Sequence, residues 1–194
     1  TSAGAILTVN APPEITSQPA SQTVTVGQTA TFSVAASGTA PLSYQWRKNG
    51  VNISGATGAS YATPVTVAGD NGAVFSVVVT NLVGSATSAN ATLTVNVPPG
   101  VTTQPANRIV TVGQTATFSV VAGGTAPLSY QWRKNALDIR GATGTTYTTP
   151  VTTAADHGAV FSVVVTNVAG SVTSAGAILT VNAPPGITTQ PASQ

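Results

Sequence analysis

The residues able to do chemistry are few and far apart. The 194 residues hold one histidine (His157), four carboxylates (Glu14, Asp70, Asp138, Asp156), no cysteine and no methionine. General acid–base catalysis needs titratable groups poised together, and a calcium site needs several acids in a short span. These four acids are scattered from position 14 to position 156. Zinc and disulfide chemistry lack ligands. Serines are many, but none stands in a Gly-x-Ser-x-Gly elbow with a histidine partner. The Gly-Ala-Thr-Gly stretches at Gly55 and Gly141 match no phosphate-loop spacing and are expected to be turns. Lys48-Asn49 and Lys134-Asn135 supply the residue types of a Lys–Asn isopeptide crosslink, but that reaction needs a buried lysine beside an acid, and these pairs fall at a turn between strands. Two modification signals remain. Asn52-Ile-Ser54 and Asn90-Ala-Thr92 fit the N-glycosylation pattern. No catalytic residue, no cofactor site and no metal site is expected; Asn52 and Asn90 are the candidate glycosylation positions.

Composition narrows the classes further. Only 5% of residues are charged and the net charge is +2, against about 25% charged in average chains. The basic residues occur as the isolated pairs Arg47-Lys48 and Arg133-Lys134 with Arg108 and Arg140 apart. This makes no patch for nucleic acid. Hydrophobic residues at 42% argue against charge-driven disorder. No apolar run approaches the ~20 residues of a spanning helix, so no membrane insertion of this segment is expected.

An internal repeat organises the chain. Ala11–Asn96 and Val97–Asn182 are identical at 62 of 86 aligned positions. Gly27 falls on Gly113, Trp46 on Trp132, Asp70 on Asp156 and Asn81 on Asn167, while His157 falls on Asn71 and so reads as a turn residue. Asn52 and Asn90 fall on Asp138 and Gly176, so neither glycosylation signal recurs. The ends repeat as well: Thr1–Gln22 and Thr173–Gln194 differ at two positions. Residues 1–10 are therefore read as the last strand of a preceding repeat, 11–96 and 97–182 as two repeats, and 183–194 as the first strand of a following one. This implies a window on a longer array; strand exchange between subunits is the alternative.

Period-two alternation runs through each repeat. Phe32 and Val34, Tyr44 and Trp46, Phe75, Val77 and Val79, and Ala91, Leu93 and Val95 each fall on one face of a short strand, with Thr, Ser and Asn between them. No helical period of useful length appears. About seven strands in 86 residues predict an all-β, Cys-free sandwich repeated in tandem.

The stretches VGQTATFSVAASGTAPLSYQWRKNG, DNGAVFSVVVTNLVGSATS and ATLTV resemble immunoglobulin-like domains of the intermediate kind, in the form common in bacterial secreted and surface proteins. The resemblance implies that Trp46 and Trp132 are core tryptophans. It also implies that Val34 and Val77, with Val120 and Val163, stand where the family often has its bridging cysteines. Phe75 and Phe161 stand where a corner tyrosine is usual, one residue later than expected, so the corner must be held otherwise. Asp70 and Asp156 are expected to bond the turn backbone or pair with a nearby base.

Pro12-Pro13, Pro98-Pro99 and Pro184-Pro185 join the repeats and favour extended, semi-rigid connections. Gln18-Pro19 and Gln104-Pro105 mark a kink in the first strand and are open to a cis bond. With Phe75 and Val77 inward, Val74 and Val78 face outward, as do Val160, Val164 and Ile178, and these five are the candidate interface. Tyr61 and Tyr147 read as edge-of-core residues, with ligand stacking as the alternative. The function expected is a non-catalytic segment of a long extracellular or cell-surface array: a stalk, adhesin shaft or self-associating filament. Its partners would be neighbouring repeats, further copies in fibres, or surface glycans. The alternative is a spacer or carbohydrate-binding accessory module of a large secreted enzyme.

Overall fold

A proline cannot donate to a β-ladder, so a strand that meets one must stop or move. Pro19 sets the entry to the first sandwich in this way. A computed structural model of the chain describes residues 5 and 7–186; of the expected flanking strands, residues 1–4, 6 and 187–194 lie outside the described residues. Strand β1 (Glu14–Ser17) pairs antiparallel with β4 (Ala35–Ser37) in the smaller sheet. After the buried Pro19 the chain crosses over, and β2 (Gln22–Thr25) runs parallel to β10 (Ala91–Asn96) in the larger sheet. A second two-stranded pairing, β3 (Thr31–Ser33) on β7 (Ser60–Ala62), continues this smaller layer across the break at Val34. The larger one has the order β2-β10-β8-β5-β6, with β5 at Ser43–Lys48, β6 at Val51–Asn52, β8 at Val74–Thr80, and β9 (Ser85–Thr87) also on β8. A single 3-10 turn, Ala68–Asp70, precedes β8.

The second domain repeats this arrangement. Its smaller sheet has β11 (Gly100–Thr103) on β14 (Val121–Gly123) and β13 (Thr117–Ser119) on β17 (Thr146–Thr148). Its larger sheet has the order β12 (Arg108–Thr111), β20 (Ala177–Asn182), β18 (Val160–Asn167), β15 (Ser129–Lys134), β16 (Leu137–Asp138), with β19 (Gly170–Thr173) on β18. The chain parts into its two units between Val97 and Pro98.

The alternation read in the sequence is the burial seen. Phe32, Trp46, Phe75, Val77, Leu93 and Val95 are buried in one cluster, and their counterparts 86 positions later in another. Val34 and Val77 are both buried there, where the resemblance would place bridging cysteines. Between the sheets Phe32 stacks on Phe75 with ring centroids 4.5 Å apart, a geometry worth ~0.5–1.5 kcal/mol beyond area burial. The indole N–H of Trp46 donates to the Gly58 carbonyl at 3.0 Å, so its one polar atom is satisfied. Without a corner tyrosine, side chains of the turn hold the corner. Asp70 accepts the Val67 N–H at 2.9 Å, and Asn71 accepts the Val95 N–H at 2.9 Å. The kink at Gln18-Pro19 is present, but the cis peptide bonds among the described residues lie at Ala40-Pro41 and Ala126-Pro127.

The connecting segment is tied into the first domain. The Ala11 carbonyl accepts from the Asn81 side chain at 2.8 Å and from the Thr39 N–H at 3.1 Å, and the Ala11 N–H donates to the Thr39 hydroxyl at 2.8 Å. Gly38 lies against Pro12 and Pro13 so closely that a Cβ would sit 2.9 Å from the Pro12 carbonyl oxygen.

One turn differs between the domains. The β5–β6 hairpin closes on Asn49 (φ 51°) and Gly50 (φ 81°), the paired left-handed residues of a type I′ turn. At the same place Ala136 is held at φ 67°. A left-handed alanine costs about 1–2 kcal/mol, partly offset by the entropy that glycine loses on folding. Ala136→Gly should therefore stabilise the second domain by about 1 kcal/mol, raising its thermal midpoint by roughly 4–8 °C in calorimetry.

Candidate functional site

Each domain gathers polar side chains at one place, beside its outermost short strand. Sheet register puts Lys48 opposite Phe75, and the 3-10 turn carries Asp70 to the same end of the sandwich. Lys48 Nζ donates to Asp70 Oδ1 at 2.6 Å, and Lys134 to Asp156 at 2.5 Å. The half-buried Tyr61, from β7, stands beside this pair with its ring centroid 5.9 Å from that of Phe75. These residues line a cleft of about 160 Å³ floored by Phe75 and Leu93. Its counterpart of about 210 Å³ is lined by Lys134, Tyr147 and Asp156 over Phe161 and Leu179. The sequence placed each of these residues separately and did not show that they converge. The 86-residue recurrence of Lys, Tyr and Asp was the available signal.

The Lys134 hydrogen bond, joined by the N–H and hydroxyl of Thr153, holds the Asp156 carboxyl down at about 2. Asp70 is lowered by the Lys48 hydrogen bond and the Val67 N–H, without a hydroxyl in that place. Burial pushes the Tyr147 hydroxyl up. A carboxyl that titrates lower when folded stabilises the fold fully above its unfolded value, 3.8, and loses that contribution as pH falls to about 2. The second domain should thus lose about 0.2–1 kcal/mol, the worth of an exposed pair, between those pH values. Acid titration of its thermal midpoint checks this, and Asp156→Asn should flatten that part of the curve.

The other candidate residues are spread over the surface. Val74 and Val78 are half-buried on the outer face of β8. Val160 faces Ile178 across β18 and β20, 40% and 46% exposed, and Val164 is half-buried farther along. Ile109 on β12, 72% exposed, lies on the same face and went unremarked in the sequence reading. In the first domain Thr23 and Thr92 take the places of Ile109 and Ile178, so that face is more polar there. Asn52 is exposed and accepts from Arg47 at 2.9 Å, a place filled by the Asp138–Arg133 ion pair at 2.6 Å in the second domain. Asn90 is exposed between β9 and β10; at its counterpart Gly176 a Cβ would lie 2.6 Å from Val160 Cγ1. His157 sits in the turn with Nδ1 3.0 Å from the Val181 carbonyl oxygen. Among the described residues, no three His, Asp or Glu side chains gather in the manner of a metal site. Nor, among them, is any helix long and apolar enough to cross a membrane.

The immunoglobulin domain family profile matches residues 12–96, and the second repeat carries the same strands in the same order. The chain is a tandem of immunoglobulin-like domains. Its similarity to curated proteins runs to pieces of much larger ones. It is 38% identical over 144 residues to tyrosine-protein phosphatase Lar of Drosophila melanogaster, covering 64% of this chain and 7% of that protein. It is 34% identical over 182 residues to endoglucanase C of Cellulomonas fimi, covering 89% of this chain and 16% of that protein. Among solved structures, an I-band fragment of titin matches with a TM-score of 0.74 at 21% identity, over 90% of this chain and 67% of that one. Sidekick-1 immunoglobulin domains 1–4 match at 0.70 and 22%, over 89% and 49%. These structural likenesses concern the fold. The immunoglobulin domains here depart from the family's disulfide, having no cysteine.

Proposed function

We propose that this chain is a non-catalytic stretch of a longer extracellular or cell-surface array of bacterial type, acting as a stalk, adhesin shaft or self-associating filament. The observation that carries this reading is the near-identity of two complete sandwiches, 62 of 86 positions. Selection on an active site would not require two copies, whereas spanning distance does. The domain frames are 11–96 and 97–182, with 1–10 and 183–194 belonging to flanking repeats. The ties from Thr39 and Asn81 to Ala11 support a frame that begins there. Exposed Asn52 and Asn90 are the positions for N-linked sugar in a host that makes it.

Electron microscopy of the intact protein from its native source tests the reading. Regular fibres would establish a polymer, and single beaded strings a stalk; a globular enzyme carrying only two beads would overturn both. For fibres, Val160→Lys with Val164→Lys and Ile178→Lys is expected to abolish lateral association while leaving the far-UV circular dichroism and thermal midpoint unchanged. Unimpaired assembly would remove Val160, Val164 and Ile178 from the interface, and Val74→Lys with Val78→Lys tests the first domain in the same way. The second reading is an accessory module of a secreted enzyme, and the 34% identity to endoglucanase C over 182 residues is what favours it. A catalytic domain encoded in the same reading frame would decide for it.

A further inference from the structure

We infer that each domain holds a binding cleft for a single ring of a neutral sugar, formed by Lys134, Tyr147 and Asp156 in the second domain and by Lys48, Tyr61 and Asp70 in the first. The inference goes beyond the array reading and is independent of whether the chain is a stalk or an enzyme's spacer.

Four observations converge on it. The first is unspent hydrogen-bonding capacity. An ammonium has three donors and a carboxylate about four acceptor sites. Lys134 spends one donor on Asp156, and Asp156 accepts three bonds in all, from Lys134 and from the Thr153 N–H and hydroxyl. No protein group takes the Tyr147 or Tyr61 hydroxyl, and among the described residues no buried side-chain polar atom goes unpaired, so these hydroxyls reach solvent. Lys134, Tyr147 and Asp156 line one cleft together, as do Lys48, Tyr61 and Asp70, and so bring donor and acceptor groups of the kind that vicinal sugar hydroxyls engage to one place.

The second observation is charge. Lysine and aspartate cancel within 2.5 Å, so the cleft offers polar groups without a net field to select an ion. The third is apolar surface. Pro150, Val151 and Ile139 line the cleft as its accessible apolar side, above the fully buried Phe161 and Leu179, and this suits the C–H face of a pyranose. The fourth is size. At about 210 and 160 Å³ the clefts fall below the ~300–1,000 Å³ of drug-sized pockets, so they suit a small ligand and not an extended chain.

A single site of this kind binds weakly. Recurrence every 86 residues converts weak sites into useful ones, because a tethered second site binds at an effective concentration in the millimolar range.

The test is an NMR titration of the two-domain protein with methyl glycosides of glucose, galactose, mannose and N-acetylglucosamine, each to ~100 mM, the range needed for millimolar affinities. At least one glycoside should give saturable amide shifts at Thr149 and Asp156 and, in parallel, at Thr63 and Asp70. Tyr147→Phe deletes a hydroxyl that has no protein partner, so the fold should keep its thermal midpoint. Binding to the second domain should weaken by roughly two- to tenfold, the worth of one hydrogen bond. The first domain, with Tyr61 intact, is the internal control. Glucuronate should bind no better than the glucoside. The inference is overturned by the absence of saturable shifts with all four glycosides, by shifts confined to other surfaces, by unchanged affinity in Tyr147→Phe, or by a clear preference for the charged sugar.

Discussion

Trp46→Ala is expected to unfold the first domain at temperatures where the second still stands. The side chain is fully buried, and its ring lies 6.3 Å from Phe32 and from Tyr61. Truncating a buried aromatic to alanine costs about 3–5 kcal/mol through lost transfer energy and the cavity left behind. The Gly58 carbonyl loses its indole donor in addition. At about 0.05–0.15 kcal/mol per residue this loss is a large share of the stability of a domain of this size. Calorimetry should show the first transition lowered by ~12–40 °C, on the scale of 4–8 °C per kcal/mol. The variant retains one tryptophan, Trp132, which packs on Phe118 and Tyr147 of its own sandwich. Its fluorescence should report an unfolding transition at the original midpoint. A single transition at the wild-type temperature would show that Trp46 is not the centre of the first core.

Gly38→Ala should be a severely damaging small-to-small change. Gly38 has φ 139°, a conformation left almost entirely to glycine, and an added Cβ would stand 2.9 Å from the Pro12 carbonyl oxygen and 3.0 Å from Pro13 Cα. Both are backbone atoms, so no side chain can swing aside. Strain of about 1–3 kcal/mol and a forced backbone shift of about 1–3 kcal/mol add to roughly 2–6 kcal/mol. Gly124, with φ 135° and the Pro98 oxygen at 2.8 Å, should behave alike in the second domain. Gly27 supplies the comparison. It has φ 89° and nothing within 4 Å of its added Cβ, so Gly27→Ala should cost only the conformational part. Equal midpoints for Gly27→Ala and Gly38→Ala would rule out the proline contact as the cause.

The sandwich was legible in the sequence because its signals are local. Alternation in Ala91–Val95 shows itself within five residues, and Ala91, Leu93 and Val95 are buried as that alternation requires. Pro19 marked the point where the first strand changes sheets because a missing N–H is a property of one residue. The break between β3 and β4 at Val34, whose N–H goes to Ala59, carried no such mark. The cleft was illegible for a related reason. Lys48, Tyr61 and Asp70 lie on a strand of the larger sheet, a strand of the smaller sheet and a 3-10 turn. Only pairing register and sheet packing bring them together, and neither follows from the spacing of 13, 9 or 22 positions between them. The tie between Asn81 and Ala11 spans 70 positions and was equally hidden, although the recurrence of Asn81 as Asn167 was plain.

That tie bears on how such a gene can change. Thr39 and Asn81 grip the residue just ahead of Pro12-Pro13, so the segment leading into the first sandwich is secured by that sandwich's own loops. A stretch of DNA that runs from Ala11 to Asn96 therefore encodes a sandwich together with the grip on its own leading segment. Misaligned recombination between neighbouring copies adds or removes whole units of this kind and leaves no half-built core at the crossover. Alleles of different length, each a whole number of 86-residue units apart, are the expected mark in a population.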